Sequence, residues 1–196
     1  ELPQQQITSY IRQFSVDSDE VRKTSLIWGS SEKIRSFLQS VLQYGERSQP
    51  VLFVGEDGTE KDELVKYVYS NTTLGKSLLT ILDCAKMNSG NWSDMFENYN
   101  SPFYKSSGSI YLKNVDTLSP DKLGKLFSFL ENMDIFRRCK IMLGFLENAF
   151  VERRIVTQYA RSLEKYIVVR LPPLREHTED IGEISNLYIN DMNIKY

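Results

Sequence analysis

The chain has 196 residues, of which 41% are hydrophobic and 26% are charged, and its formal net charge is -2. These values are typical of one soluble globular domain, and they exclude a disordered chain and an overall positive field that would attract nucleic acid or anionic membranes. The two cysteines, Cys84 and Cys139, match no metal-binding spacing, and no apolar run reaches the ~18 residues of a membrane helix. We therefore expect a cytoplasmic protein with two buried free thiols, whose DNA contacts, if its parent has any, lie outside this chain.

The first residues, 1–24, are polar and carry mixed charge. One helix face is predicted from four apolar residues, namely Ile7, Tyr10, Ile11 and Phe14. We interpret 1–24 as a linker or lead-in helix before a core domain at 25–196. The chain begins without Met and ends in polar sequence, so we expect it to be a piece of a longer protein.

Strands and helices alternate through the core domain. Short apolar runs predict buried strands at 51–54, 78–82, 110–112, 140–145 and 166–169. Apolar stripes at helical spacing predict helices over 34–42, 64–68, 123–130 and 181–188, with Thr178 as the cap of the last. This order predicts an α/β three-layer sandwich with a central parallel five-stranded sheet, whose ligands bind at the carboxyl ends of the strands.

The turn after the first of these strands lies where a phosphate-binding loop belongs. It consists of Gly55, Glu56, Asp57, Gly58, Thr59, Glu60, Lys61 and Asp62. In such a loop, backbone N–H groups and a lysine hold phosphate oxygens at a helix N-terminus. The full pattern has Gly before the Lys and Ser or Thr after it, whereas this turn has Glu60 and Asp62. On this motif alone, an ordinary strand–turn–helix is the favoured interpretation.

A longer motif follows the last predicted strand. Residues 171–181 read LPPLREHTEDI, which closely resembles the LPPLRERxEDI signature of the AAA+ domains of sigma-54-dependent transcriptional activators. Four further pieces resemble motifs of that family in the same order: 26–31 its LIGxS, 50–61 its PVLIxGExGTGK, 82–85 its LNCAA and 108–112 its GTLFL. The resemblance covers roughly residues 25–190. It implies a P-loop AAA+ fold, with most of the family's helical lid absent from this sequence.

The residues after the GTLFL-like strand depart from the family. There the family has Asp and Glu, which hold magnesium and polarise the attacking water. Lys113 and Asn114 stand in their place. A lysine opposes metal binding, an asparagine cannot act as a base, and Asp116 lies too far along the chain to replace either. Lys113 could instead fill the metal position as a built-in cation paired with Glu56 or Asp62.

Glu60 is a second obstacle to phosphate binding, because its carboxylate lies beside the phosphate seat and the freedom of a glycine is lost. Asp62 is no evidence against binding, since the family tolerates an acidic residue after the lysine. His177 is the only histidine and stands where the family has Arg, and we expect it to be a solvated loop residue. We therefore expect no catalytic residues, no metal, and weak or absent ATP binding.

Other family contacts are also missing or displaced. Residues 95–107 are too short for the loop that bears GAFTGA and touches the sigma factor, and they lack that motif. Counting back from residue 171 places other residues where the family has arginine fingers, namely Thr157 and Leu163, with Arg154 and Arg161 nearby. Asn148 lies near the place of the family's sensor asparagine, and the sensor arginine of the lid would lie beyond residue 196.

The favoured interpretation is therefore a regulatory, ATPase-inactive AAA+ module of a bacterial transcriptional regulator, acting in assembly or protein contacts. The resemblance implies a homo-oligomer, either a dimer or a ring, with RNA polymerase or other regulators as partners, no membrane contact, and DNA bound only by another segment. Two alternatives stay open. One is a divergent working ATPase, against which Lys113 and Asn114 argue. The other is a nucleotide or small-molecule sensor without hydrolysis, which Lys61 and Gly58 keep open.

Overall fold

The computed structural model of the chain describes residues 11–14, 28–105, 108–152 and 155–195. Its strands are β1 (Ile11–Phe14), β2 (Val51–Gly55), β3 (Leu79–Asp83), β4 (Ser109–Lys113), β5 (Lys140–Leu146) and β6 (Ile167–Arg170). Its α-helices are α1 (Glu32–Glu46), α2 (Lys61–Ser70), α3 (Ser89–Glu97), α4 (Pro102–Lys105), α5 (Pro120–Asn132), α6 (Glu147–Glu152), α7 (Ile155–Gln158), α8 (Ala160–Leu163) and α9 (Ile181–Lys195). Within the described ranges, no helix is both long enough and apolar enough to span a bilayer.

The strands form one sheet in the order β1-β3-β4-β5-β2-β6. The strands β3, β4, β5, β2 and β6 pair in parallel, which confirms the predicted parallel five-stranded sheet. Each predicted strand agrees with the observed one to within one residue at either end. The loop of residues 55–62 therefore follows a central strand, at the carboxyl edge of the sheet.

The sixth strand, β1, is a difference from the sequence interpretation. Ile11–Phe14 pairs antiparallel with β3, so the predicted helix is wrong over these residues. The remainder of that predicted helix, including Ile7 and Tyr10, lies outside the described residues. A physical reason is that the outer edge of β3 offers unpaired backbone groups, and pairing with them overrides a weak local helical pattern.

Alternate residues of the strands point into two separate apolar cores. Leu52 and Val54 belong to one core, which helices α3 and α5 complete through residues such as Trp92 and Leu126. Val51 and Phe53 belong to the other, which α1 and α2 complete through residues such as Ile34 and Val65. A sheet buried on both faces explains why its strands read as continuous apolar runs, and it gives the predicted three layers.

Residues 84–105 form a compact crossover between β3 and β4. No helix was predicted here from the sequence, but Asn88 caps α3 by accepting a hydrogen bond from the Asn91 backbone, and α4 follows. Phe96 of α3 and Phe103 of α4 stack with ring centroids 5.9 Å apart, and both side chains are buried. This part of the chain is therefore packed onto the sheet.

Helix α1 is fixed at both ends. At its start, the Ser31 side chain accepts a hydrogen bond from the Ile34 backbone. Beyond its end, the buried Lys140 ammonium donates to the carbonyls of Tyr44, Arg47 and Gln49 at 2.6–2.8 Å. Burial lowers the pKa of Lys140 to about 8. The Ser31 contact caps the start of α1, and the Lys140 contacts fix its end to the first residue of β5.

Candidate functional site

The loop from Gly55 to Asp62 has the strand–loop–helix geometry of a phosphate-binding loop. The Thr59 hydroxyl donates to the Glu56 carbonyl at 2.8 Å, which turns the loop back on itself. A Cβ at Gly55 would lie only 2.5 Å from the Thr59 hydroxyl oxygen, so this position requires glycine. Gly58 has a φ of +76°, a conformation that glycine adopts at little cost.

Glu60 adopts a left-handed backbone conformation, with φ 56° and ψ 44°, directly before α2. The full phosphate-loop pattern has glycine at this place. A left-handed conformation costs a residue with a side chain ~1–2 kcal/mol. Burial, and then the charges of Glu63 and Asp62, raise the pKa of Glu60. The backbone thus keeps a shape suited to glycine while carrying a partly buried carboxylate.

The Lys61 ammonium is bound by the loop itself. Its Nζ donates to the carbonyl oxygens of Gly55 at 3.1 Å and Glu56 at 2.8 Å. Burial lowers the pKa of Lys61, although Asp57 and other nearby carboxylates oppose that shift. The cation that would reach the outer phosphates of a nucleotide is thus engaged with backbone carbonyls.

Lys113, at the end of β4, binds the first residues of α2. Its Nζ lies 3.0 Å from Asp62 Oδ2, and the Tyr111 hydroxyl donates to Asp62 Oδ1 at 2.8 Å. Burial, followed by the charge of Asp62, raises the pKa of Tyr111 and keeps its hydroxyl a donor. Of the two partners predicted for Lys113, Asp62 is confirmed. The prediction of Glu56 as a partner of Lys113 is wrong, because Arg175 binds the Glu56 carboxylate.

Asn114 and Asp83 join the ends of β4 and β3. The Asn114 amide donates to Asp83 Oδ1 at 2.8 Å, and Asp83 Oδ2 lies 3.8 Å from Lys113 Nζ. Asp116, one turn further on, is buried and accepts a hydrogen bond from the Leu146 backbone at 3.0 Å. Asp116 is therefore occupied at the end of β5, in agreement with its exclusion as a replacement carboxylate.

The family resemblance implies a magnesium ion in this cleft, and the side chains present do not fit one. In P-loop NTPases the ion is held by the residue after the loop lysine and by an aspartate at the end of the strand that corresponds to β4. Here these two positions are Asp62 and Lys113, and they bind each other. Within the described residues, no group of three His, Cys, Asp or Glu side chains is arranged to hold a metal ion.

Arg175 forms a two-pronged ion pair with Glu56, with nitrogen–oxygen distances of 2.6 and 2.7 Å. The hydrogen bonds from Arg175 lower the pKa of Glu56. The pair lies between two open clefts of 360 and 520 Å³, both of which it lines together with Pro172 and Pro173. The sequence interpretation did not single out Arg175 as a site residue, although it lies inside the LPPLREHTEDI motif.

A second polar cluster, which we call the lead-in clamp, consists of Gly29, Ser30, Ser31, His177 and Asp180. Asp180 Oδ1 accepts hydrogen bonds from the backbones of Ser30 at 3.0 Å and Ser31 at 2.8 Å. Asp180 Oδ2 contacts His177 Nδ1 at 3.1 Å. Gly29 has a φ of +88°, and a Cβ there would lie 2.3 Å from the Asp180 side chain. The clamp ties the start of α1 to the chain that precedes α9.

The clamp corrects two predictions. His177 is only 3% exposed, so the expectation of a solvated loop residue is wrong, because the imidazole packs against the Asp180 carboxylate. The last predicted helix is present as α9, but Thr178 does not cap it, because residues 178–180 form a 3₁₀ turn and α9 begins at Ile181. This turn aims Asp180 at the backbone of Ser30.

Neither of the two expected arginine-finger positions carries an arginine. Thr157 is exposed on α7, Leu163 is buried at the end of α8, and Arg161 is exposed on α8. Arg154 lies outside the described residues. Asn148 is exposed in α6, directly after β5. Cys84 and Cys139 are buried free thiols, as predicted.

Sequence comparison identifies known proteins that are similar to this chain. Residues 28–174 match the family described as Sigma-54 interaction domain. The chain is 23% identical over 186 residues to the HTH-type transcriptional regulatory protein TyrR of Enterobacter agglomerans, covering 80% of this chain and 35% of that protein. It is 26% identical over 191 residues to the formate hydrogenlyase transcriptional activator FhlA of Escherichia coli K12, covering 83% and 27%. The chain thus spans about a third of the length of such relatives.

Structural comparison supports the fold. The crystal structure of NtrX from Brucella abortus in complex with ADP superimposes with a TM-score of 0.67 at 14% identity, covering 83% of this chain and 41% of that one. A Saccharomyces cerevisiae Hsp104:casein complex superimposes with a TM-score of 0.55 at 19% identity, covering 93% and 33%. At these identities the likeness establishes the α/β P-loop AAA+ fold alone.

Proposed function

We propose that this chain, which belongs to the Sigma-54 interaction domain family, is a regulatory AAA+ module that does not hydrolyse ATP. One observation carries the proposal: Lys113 and Asp62, the two positions that would hold the catalytic magnesium, bind each other at 3.0 Å. Without the metal and a carboxylate at residue 114, neither the phosphate charge nor the attacking water is stabilised in the transition state.

The transcriptional role of the whole protein is part of the same proposal. Relatives such as TyrR and FhlA are named as transcriptional regulators, and the chain matches about a third of each. We propose that the parent protein regulates transcription and that this module contributes assembly or protein contacts. A homo-oligomer with RNA polymerase or other regulators as partners fits that role, with DNA bound by another segment.

The mechanism we propose is a cleft occupied by its own side chains. Lys61 is bound to the loop carbonyls, and the ammonium of Lys113 is bound to Asp62. Glu60 adds a carboxylate beside the phosphate seat and keeps a strained backbone there. A nucleotide must break these contacts before it binds, so we expect weak or absent affinity for ATP.

A second candidate function is a sensor that binds a nucleotide or small molecule without hydrolysis. The observation that favours it is the open cleft of 360 Å³ between the phosphate loop and α9, lined by Trp28, Thr59 and Tyr188 among others. Calorimetry with ATP, ADP and cyclic dinucleotides separates the two candidates. A low-micromolar dissociation constant for any of them supports the sensor.

A steady-state phosphate-release assay tests the main proposal. We expect no ATP turnover above background at high protein concentration. The matched control is Lys61→Ala, because it removes the loop lysine and must lower any genuine activity of this cleft. Turnover that disappears in Lys61→Ala would mean that the chain is a divergent ATPase and that the proposal is wrong.

Sigma-54 contact provides a separate test. The described part of the β3–β4 crossover, residues 84–105, packs on the sheet through Trp92 and Phe96, and the sequence lacks GAFTGA. We therefore expect that the chain does not form a stable complex with sigma-54 in the presence of a transition-state nucleotide analogue. Co-elution of the two purified proteins would contradict this expectation.

A further inference from the structure

Three neighbouring residues of the cleft differ together from the family pattern. Asp83, Lys113 and Asn114 stand where the LNCAA motif and the acidic pair after GTLFL have Asn, Asp and Glu. The carboxylate and the amide have thus changed places between positions 83 and 114. In this chain the two side chains bind each other at 2.8 Å, with the amide at the end of β4 and the carboxylate at the end of β3.

We propose that these three positions form one exchanged unit, in which the Lys113 ammonium permanently takes the place of a divalent metal ion. This inference rests on the proposed function and names what regulates the cleft: an internal cation instead of a bound ion. Its consequence is that Mg²⁺ leaves the native protein unchanged, whereas a metal requirement returns once the ammonium is removed.

The Lys113 ammonium lies where it can connect the elements that hold a metal ion in related proteins. Lys113 Nζ contacts Asp62 Oδ2 at 3.0 Å and Asp83 Oδ2 at 3.8 Å, so one cation lies between carboxylates from α2 and β3. In a P-loop protein the divalent ion is held by the start of this helix and by the end of the strand that corresponds to β4, the strand on which Lys113 itself lies. Lys113 therefore joins the parts of the site that the metal would otherwise join.

The charges of residues 83, 113 and 114 balance without a metal ion. The family set of Asn, Asp and Glu holds two negative charges, which one divalent ion neutralises. The set of Asp83, Lys113 and Asn114 holds one negative and one positive charge and is neutral without an ion. A lysine at 113 with the family's asparagine at 83 and glutamate at 114 would also be neutral, but its carboxylate would then lie on the residue next to Lys113 in the chain instead of on β3. The exchange to Asp83 and Asn114 keeps the hydrogen bond between strands.

The interaction between Lys113 and Asp83 is partly shielded from solvent. The side chain of Asp83 is 9% exposed and that of Lys113 is 28% exposed, so their interaction is screened much less than one between fully exposed groups. Removing the Lys113 ammonium alone leaves Asp83 with only the more exposed ammonium of Lys86, at 3.7 Å, and leaves Asp62 without its ion pair. A buried charge that has lost its partner is strongly destabilising.

The test is the substitution Lys113→Asp, measured by thermal unfolding of the whole chain in EDTA and in MgCl₂ or MnCl₂, without nucleotide. Three carboxylates, at positions 62, 83 and 113, then share the site. We expect the melting temperature in EDTA to fall by roughly 5 °C or more relative to the native chain. Either metal salt should restore most of that loss in a saturable way, and the native chain should respond to neither.

Lys86→Asp is the matched control. The Lys86 ammonium lies 3.7 Å from the same Asp83 oxygen, but its side chain is 66% exposed, against 28% for Lys113. The change of charge is identical, yet we expect a small shift and no response to metal. A metal response of the native chain, or a Lys113→Asp chain as stable as the native one in EDTA, would overturn the inference.

A second measurement covers the case in which Lys113→Asp does not fold. Lys113→Met is compared in the native chain and in an Asp62→Asn chain. If the ammonium neutralises Asp62, the fall in melting temperature caused by Lys113→Met is smaller in the Asp62→Asn chain. Equal falls in both would overturn the inference. Neither result depends on ATP turnover, so a failure of the phosphate-release test and a failure of this inference are distinguishable.

Discussion

The lead-in clamp and the phosphate-loop cleft lie at the same edge of the sheet, but they use polar groups in different ways. In the clamp, buried Asp180 accepts hydrogen bonds from backbone groups that have no role in chemistry. In the cleft, Lys61 and Lys113 bind groups at the places where a nucleotide and its metal would bind. The clamp therefore stabilises the fold whether or not the cleft has a ligand. The proposed loss of hydrolysis therefore does not require a loss of the contacts that stabilise the P-loop fold.

Breaking the clamp should have the largest effect on stability. Asp180→Ala removes the acceptor for the partly buried backbone hydrogen bonds of Ser30 and Ser31 and the partner of buried His177, which costs about 3 kcal/mol of unfolding free energy. Urea denaturation measures the loss. Glu179→Ala, an exposed neighbour, is the control and should change stability by less than about 0.5 kcal/mol.

The same variant makes a prediction about pH. Burial alone raises the pKa of Asp180, but hydrogen bonds from Ser31, His177 and Ser30 outweigh it and hold the pKa below the ordinary value of 3.8. A carboxyl with a lowered pKa stabilises the fold above its unfolded pKa, and this contribution is lost as the pH falls through the folded pKa. The difference between native and Asp180→Ala chains should therefore shrink below about pH 4. A constant difference down to pH 2 would contradict this role of the charge.

The clamp and cleft also differ in how far the sequence predicted them. The apolar runs located all five parallel strands, because a strand buried on both faces leaves a continuous pattern. The pairing of Lys113 with Asp62 followed from charge and motif position. The burial of His177 did not, because it depends on Asp180 reaching back to a backbone 149 residues away at Ser31. Local sequence carries no signal for such a contact.

Two further structural features were missed for other reasons. Helix α3 carries Trp92, Met95 and Phe96 at helical spacing behind the cap Asn88, so its signal was present but masked by the surrounding polar residues. Strand β1 forms only because β3 has a free edge, which the sequence of Ile11–Phe14 alone cannot indicate. The ion pair of Glu56 with Arg175 joins residues 119 positions apart and depends on the fold in the same way.

Substitutions that remove the opposing side chains from the cleft should raise its affinity for ATP and leave the clamp unchanged. Glu60→Gly combined with Lys113→Asp removes the carboxylate and the ammonium that oppose a metal–nucleotide complex. We expect ATP affinity in Mg²⁺ to rise at least about tenfold, which corresponds to about 1.4 kcal/mol. Calorimetry measures it. The control is Glu63→Gly combined with Lys86→Asp, which makes the same types of change at positions other than 60 and 113 and should leave the ATP affinity unaltered. If Glu60→Gly with Lys113→Asp does not raise the ATP affinity, something else closes the cleft.

Glu60→Gly alone should raise stability, in contrast to any change in the clamp. Glycine relieves the left-handed backbone at residue 60, where φ is 56°, and the expected gain is about 1 kcal/mol. Glu63→Gly lies inside α2 and should instead cost about 1 kcal/mol, as glycine does in helices. Chemical denaturation of both variants decides whether strain is present. A loss of stability in Glu60→Gly would mean that the side chain contributes more than its strain.

Glu60→Gln separates the charge from the backbone. Because the folded pKa of Glu60 is raised above 4.5, the folded chain holds that proton more tightly, and the ionised carboxylate is a cost at neutral pH. Glutamine should therefore be slightly stabilising at pH 7, and the benefit should disappear as the pH falls towards 4.5. A benefit that is independent of pH would rule out the charge as its cause.

The smallest effect is expected from the exposed ion pair of Glu56 and Arg175, although its geometry is the best in the cleft. Its side chains are 40% and 66% exposed, so water and salt screen the attraction. Arg175→Ala, Glu56→Ala and the double variant should each change the melting temperature by less than about 2 °C, and the coupling between them should vanish in high salt. If the coupling instead persists in high salt and equals that of the clamp, the pair is a structural tie between the phosphate loop and the segment before α9. The cleft would then share the role of the clamp, and the distinction between a region that stabilises the fold and one that replaces a ligand would not hold.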